Sequence, residues 1–337
     1  MKMILKKIIN INLRVLIIGV LLTAINMNII FADNRNETHM QLTENDKIAK
    51  IKEWTKAVPR DYLENCNNKG KIVDISYDTY DYTNNQKITK VAKVYLPYGY
   101  DENDTVKRYN VLYMMHGWTQ TSDDFFNGND KILNLFDNMI DNNIIPPFVA
   151  VSLTFDRDNR SQSFSRSVAE LSVFHKEFKN EVMPYIESNF NTYANGDISE
   201  ENLKQTRNHR AFTGFSLGAV TTWYQIYHNM DYIKYFAPLS GDCWIKGTYG
   251  GLYYPEETVD AIIDKIDESK YKNDFYIYEG IGTNDPIFDQ TDSQIKEMIK
   301  REEFNENNLK YGIKQNGRHD LIAVREYLYN FLLKGIF

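Results

Sequence analysis

The segment His209-Arg210-Ala211-Phe212-Thr213-Gly214-Phe215-Ser216-Leu217-Gly218-Ala219 decides how this 337-residue chain is read. A β-prone apolar run leads into Gly-x-Ser-x-Gly, and helix-forming sequence starts at Leu217. A serine set between strand and helix in this way sits on a sharp, strained turn. Glycine on either side lets neighbouring backbone pass closely, and the turn pushes the hydroxyl into the open. The same turn leaves the Leu217 N–H at a helix N-terminus, pointing at developing negative charge. Ser216 is the candidate nucleophile and Leu217 a candidate oxyanion donor.

Working outward, runs rich in β-branched and aromatic residues predict strands at Lys71–Tyr77, Lys90–Leu96, Asn110–Met115, Phe148–Leu153, His209–Thr213, Tyr235–Leu239, Asp274–Glu279 and Leu309–Gln315. Helical patterns fall at Ile132–Asn142, Leu217–Asn229, Thr258–Asp267, Asp292–Arg301 and Leu321–Lys334. Phe174, Phe178, Val182, Ile186 and Phe190 recur every four residues and predict an apolar stripe on one further long helix. The first two strands follow each other without a helix, so the sheet starts antiparallel. Strand–helix alternation then implies parallel crossovers and a sheet covered on both faces, as continuous apolar strands such as Phe148-Val149-Ala150-Val151 require. The expected class is α/β: an α/β-hydrolase fold with a mostly parallel sheet of about eight strands.

In that fold the serine, acid and histidine follow in chain order. An alcohol at neutral pH needs a base to become a nucleophile. His319, in Gln315-Asn316-Gly317-Arg318-His319-Asp320, lies between the last strand and the last helix, whereas His228 falls inside the helix after the elbow. Asp285, in Gly282-Thr283-Asn284-Asp285, lies just past a strand's carboxyl end, where open α/β sheets carry catalytic groups. Asp242 and Asp289 are the other acids in play, ranked after it. Met114-Met115-His116-Gly117-Trp118-Thr119 follows the third predicted strand; Gly117 permits a tight turn that aims the Trp118 N–H at the site, and His116 braces the loop.

Composition sets the surroundings. Formal charge is −7, from 39 basic and 46 acidic residues, with no clustered Lys/Arg stripe, which argues against a nucleic-acid partner. Aromatics make up 14%, with 24 Tyr: either rings for sugars and aromatic acids to stack on, or a bias toward Tyr, Asn, Ile and Lys. No CxxC, HExxH or acidic calcium-loop pattern occurs, so the sequence supports no metal site. Cys66 and Cys243 are compatible with one bridge, but spacing cannot pair them. Lys2, Lys6, Lys7 and Arg14 precede an apolar run from Val15 to Ile25, and Ala32 closes the segment before Asp33. This reads as a secretory signal peptide over residues 1–32, followed by one domain over 33–337. Asn26 and Asn28 interrupt the run short of a membrane span. Removing the segment's four basic residues takes the formal charge from −7 to −11. The expectation is a secreted, extracellular protein with no membrane association after cleavage.

The chain resembles the esterase group of α/β-hydrolases that includes carbohydrate esterase family 1, S-formylglutathione hydrolases and mycolyltransferases. It is most similar to the feruloyl esterase modules attached to clostridial xylanases. The likeness runs from about Val58 to Phe337 and rests on Val94-Tyr95-Leu96-Pro97-Tyr98-Gly99-Tyr100, Met115-His116-Gly117, Gly214-Phe215-Ser216-Leu217-Gly218, Thr221-Thr222-Trp223-Tyr224 and Pro238-Leu239-Ser240-Gly241-Asp242-Cys243-Trp244. It implies a serine esterase with Ser216, Asp285 and His319 as triad, Leu217 and Trp118 as oxyanion donors, and no cofactor. It implies a feruloylated or acetylated plant polysaccharide as substrate, with Trp244 at the acyl pocket and Asp242 and Gly117 beside it. Two departures stand out. Trp118 and Thr119 replace a run of glycines, and Cys243 replaces an aromatic, an exchange that would enlarge the pocket beside Trp244. On the same machinery, an acetyl xylan esterase, a general carboxylesterase or an acyltransferase are the alternatives. A carbohydrate-binding shell without catalysis is the alternative outside enzymes.

Overall fold

The computed structural model describes residues 45–337 apart from Asn159, so the signal-peptide expectation lies outside the described residues. The chain divides into two units: residues 1–50, in which the described residues 45–50 are helical, and Ile51–Phe337, which holds the sheet. No helix among the described residues is long and apolar enough to cross a membrane.

Among the described residues nine strands form one sheet: β1 (Lys52–Trp54), β2 (Lys71–Asp81), β3 (Gln86–Leu96), β4 (Asn110–Met115), β5 (Phe148–Leu153), β6 (Arg210–Phe215), β7 (Tyr235–Leu239), β8 (Tyr276–Gly282) and β9 (Leu309–Lys314). Their order is β1-β9-β8-β7-β6-β4-β5-β3-β2. The antiparallel pairs are β2 with β3 and β3 with β5; the remaining pairings of these strands are parallel. The antiparallel start and parallel remainder match the sequence pattern. The strand beyond the expected eight is β1, three residues paired in parallel with β9 at the sheet's edge.

The longer helices are α1 (Ile132–Asp141), α2 (Phe164–Glu177), α3 (Leu217–Asn229), α4 (Pro255–Glu268), α5 (Phe288–Lys300) and α6 (Leu321–Leu332). All six residues of β4 are buried, and their alternation serves both faces of the sheet. Leu112 and Met114 join a core with Leu135 and Phe136 of α1 and Val324, Leu328 and Phe331 of α6. Tyr113 points to the other face, where its ring meets Phe178 edge-on at 4.8 Å.

Phe178 lies in a π-turn, Phe178–Val182, that joins α2 to a short helix at Met183–Asn189. The four-residue stripe explains it. At 3.6 residues per turn each step of four overshoots by about 40°, so a straight helix would carry the stripe off its face. The wider π-turn absorbs part of that drift, and Phe174, Phe178, Val182 and Ile186 all stay buried. Both cysteines are buried free thiols: the Cys66 sulfur sits 3.5 Å from an Asp141 carboxylate oxygen, and Cys243 follows β7.

Chain order reverses at β4. β5 lies on one side of it and β6 on the other, so a crevice opens where the carboxyl ends of β4 and β6 diverge into separate loops. Met115 stands opposite Gly214 in the register, which sets the His116–Trp118 loop beside the elbow.

Candidate active site

Ser216 links β6 to α3 with φ 57° and ψ −117°, a conformation that non-glycine residues rarely adopt. The strain is held by close backbone packing. A Cβ on Gly218 would lie 2.0 Å from the Met115 carbonyl oxygen, so α3 can reach β4 this closely only with glycine there. The turn is tied down by the Ser216 N–H, which donates to Leu239 O at 3.0 Å. Leu217 opens α3, so its N–H belongs to the first turn, whose amides have no partner within the helix.

His319 and Asp285 arrive on loops after β9 and β8. His319 Nε2 is 2.9 Å from Ser216 Oγ, and His319 Nδ1 is 2.9 and 3.0 Å from the two Asp285 oxygens. The two loops are stitched together: the Asn284 N–H donates to Gly317 O at 3.0 Å, and the Asn316 N–H donates to Thr283 Oγ1 at 2.8 Å. Gly282 makes this possible, since a Cβ there would stand 2.2 Å from the Gly317 carbonyl oxygen. Asp285 is buried and also accepts from the Ile287 N–H at 3.0 Å, which fixes its carboxylate.

The rival groups lie elsewhere. Asp289 is in the first turn of α5. His228 lies in the last turn of α3 with its ring stacked on His175 at 3.7 Å. Asp242, expected beside substrate, is buried with both oxygens engaged by the chain: Trp244 Nε1 donates to one at 2.8 Å and the Gly251 N–H to the other at 2.9 Å. These two bonds let it hold the indole and the Gly250–Tyr253 turn in place. Burial pushes its carboxyl up to about 6, against the pull of those two donors.

The loop after β4 lies against Ser216: a Cβ on Gly117 would stand 3.2 Å from the serine Cβ. Its shape is set by the Gln120 side chain, which accepts from the Gly117 N–H at 2.8 Å, and by Thr119 at φ 64°. His116 is fully buried, with Nδ1 2.7 Å from Gly117 O and Nε2 2.8 Å from Thr154 Oγ1. Burial lowers it to about 4, so it braces the loop as a neutral ring. Trp223 is core, its Nε1 donating to Gly241 O.

The rings near the site form a connected wall. Trp118 meets Phe164 at 5.2 Å, Phe164 meets Trp244 at 6.1 Å, and Trp244 meets Tyr249 at 5.1 Å, each edge-to-face. Phe164, Tyr249, Gln120 and the Gly282–Gly317 contact are absent from the sequence reading. Only Phe164 had a local signal: Ser163 caps α2 by accepting from the Arg166 N–H, and Phe164 follows it.

The family model described as "Putative esterase" matches residues 85–324. The chain belongs to this esterase family. Membership makes it a carboxylic-ester hydrolase by family. The esterase is 32% identical over 281 residues, 81% of its length, to endo-1,4-beta-xylanase Y of Acetivibrio thermocellus, of which it spans 24%. It is 30% identical over 174 residues to an endo-1,4-beta-xylanase/feruloyl esterase of Xylanibacter ruminicola, covering 51% of this chain and 21% of that protein. Among solved structures, the feruloyl esterase module from Clostridium thermocellum complexed with sinapinate matches with TM-score 0.74 and 30% identity, over 85% of this chain and 95% of the module. A ferulic acid esterase of carbohydrate esterase family 1 from Anaeromyces mucronatus shares the fold at TM-score 0.61, with 20% identity over 84% of this chain and 98% of that one.

Glu279 of β8 lies wholly buried in the sheet, in the strand that leads into the Asp285 loop. Burial, reinforced by the charges of Asp242 and Asp285, pushes its carboxyl well above the usual range. An unfolded glutamate titrates at about 4.3. As pH rises from there the unfolded chain releases a proton that the fold retains, so stability falls through the window between the two values. Glu279→Gln removes this loss. In urea unfolding, the variant should gain on the parent steadily from pH 4 to pH 8; a pH-independent difference between them would sink the assignment.

Proposed function

We propose that the chain is an exported serine esterase that cleaves feruloyl or p-coumaroyl esters from plant cell-wall arabinoxylan through an acyl-enzyme. One observation carries the reading: a strained serine with its Oγ 2.9 Å from His319 Nε2, whose Nδ1 is 2.9 Å from buried Asp285. Ser216 Oγ bonds to the ester carbonyl carbon as its proton passes to His319 Nε2. Negative charge on the carbonyl oxygen falls to the Leu217 and Trp118 N–H groups. Collapse breaks the carbon–oxygen bond to the sugar, and His319 returns the proton to the leaving sugar oxygen. Water then attacks the acyl-enzyme with the same histidine as base, releasing the hydroxycinnamic acid and restoring the Ser216 hydroxyl. Asp285 orients the imidazole and offsets its positive charge. No step calls for a cofactor.

The ring wall supports an aromatic acyl group, since an indole edge and face around Trp244 can meet a cinnamoyl ring in the offset or edge-on packing that aromatics favour. The basic and apolar segment before Asp33 supports export. Relatives named as xylanases and feruloyl esterases support the polysaccharide and the acyl class. The deciding experiment compares kcat/KM on methyl ferulate, methyl p-coumarate and p-nitrophenyl acetate. The hydroxycinnamoyl esters should lead after allowing for the better leaving group of the acetate. A preference for acetyl esters would turn the assignment to an acetyl xylan esterase.

A further inference from the structure

We propose that Tyr253 and Tyr254 form a docking platform for the sugar chain of a neutral polysaccharide that carries the scissile ester. The inference rests on the esterase reading and deepens it, from the acyl group to the part of the substrate beyond the ester oxygen.

The ring wall that begins at Trp118, the residue after the Gly117 that packs on Ser216, does not stop at Tyr249. Tyr249 meets Tyr253 edge-to-face at 6.4 Å, and Tyr254 follows directly. Accessibility rises along this path: Trp244 is buried, Tyr249 is half-buried, and Tyr253 and Tyr254 are 65% and 50% exposed. Large rings held in water at the open end of such a wall mark a contact surface. The apolar C–H face of a pyranose covers a phenol face, while the Tyr hydroxyl stays available for hydrogen bonding.

The platform is fixed in advance. The helical turn Gly250–Tyr253 is anchored by the Gly251 N–H on Asp242, the carboxylate that also holds Trp244. Tyr254 is the residue before α4, whose first position is Pro255, so the backbone is held where the ring projects. One buried carboxylate therefore ties the acyl side of the wall to its exposed end. Charge selects the polymer. Glu256 and Glu257 stand in the first turn of α4 next to Tyr254, and both are exposed. Carboxylates there accept hydrogen bonds from sugar hydroxyls and repel a polyuronide.

The test uses binding and turnover separately. In affinity gels with de-esterified xylan, Ser216→Ala should be retarded. The triple variant Ser216→Ala/Tyr253→Ala/Tyr254→Ala should run freely, and the matching Tyr→Phe variant should stay retarded because it keeps the rings. In the active enzyme, Tyr253→Ala/Tyr254→Ala should raise KM for a feruloylated xylo-oligosaccharide about tenfold more than KM for methyl ferulate, with kcat held. That is the scale expected when one well-placed stacking interaction is removed. Equal migration of the alanine variant, equal KM changes on both esters, or stronger retardation in polygalacturonate than in xylan would each overturn the platform. Turnover of methyl ferulate by the unaltered enzyme answers the esterase reading independently.

Discussion

Replacing Ser216 with alanine should lower kcat on methyl ferulate by about 10⁶-fold, the scale on which triads act as a unit. That factor corresponds to about 8 kcal/mol of activation free energy. In the mechanism proposed above the size follows from covalent participation: without Oγ no acyl-enzyme would form, and the proposed oxyanion donors would be left with only a water to assist. The same logic predicts non-additivity. His319→Ala should cost nearly as much by itself, because Ser216 Oγ, 2.9 Å from His319 Nε2, then has no acceptor for its proton. The double variant should be hardly worse than either single one. Alanine preserves the Cβ at the strained φ of 57°, so the fold and its unfolding midpoint should change little. Steady-state rates with active-site titration by a fluorophosphonate check this. Near-normal turnover by Ser216→Ala, or labelling at another serine, would remove the mechanism.

Much of this arrangement is legible in the chain because it is written locally. Asn110–Met115, Phe148–Leu153 and Tyr235–Leu239 match their observed strands end to end, since a strand buried on both faces is mostly apolar and proline or polar residues flank it. The elbow is legible because its glycines answer to the tight backbone packing that the turn demands. β1 is not: Lys52-Glu53-Trp54 has no apolar run, Trp54 is 63% exposed, and the segment is a strand only because the edge of β9 offers it backbone partners. The ring wall is hidden for a different reason. Trp118, Phe164 and Trp244 come from three separate loops or helix starts, and no spacing relates them. The π-turn falls between these cases: the four-residue stripe is in the sequence, but its meaning depends on which neighbours Phe178 has to meet. Chain order, finally, leaves Asp285 and Asp242 both open as the acid, because each follows a parallel strand.

Their geometry separates them, and the second large effect follows. Asp285→Asn should lower kcat about 10⁴-fold, while Asp242→Asn should cost less than about 10-fold. Both Asp285 oxygens lie within 3.0 Å of His319 Nδ1, so the carboxylate holds that nitrogen protonated and leaves Nε2 free to accept from Ser216. An amide can turn its NH₂ toward Nδ1, which moves the ring proton to Nε2 and blocks the base. It also withdraws the charge that stabilises the imidazolium, and the combined loss is about 5 kcal/mol at the factor expected. Asp242 has no such link: its oxygens serve Trp244 and Gly251, and an asparagine keeps an acceptor for one of the two donors. Its loss should therefore appear in KM for aromatic acyl esters, through a looser indole, with kcat largely retained. Raising the pH should not rescue Asp285→Asn, because no titration restores the missing charge. A large kcat loss in Asp242→Asn with Asp285→Asn active would reverse the assignment and require the loop after β7, not the loop after β8, to supply the acid.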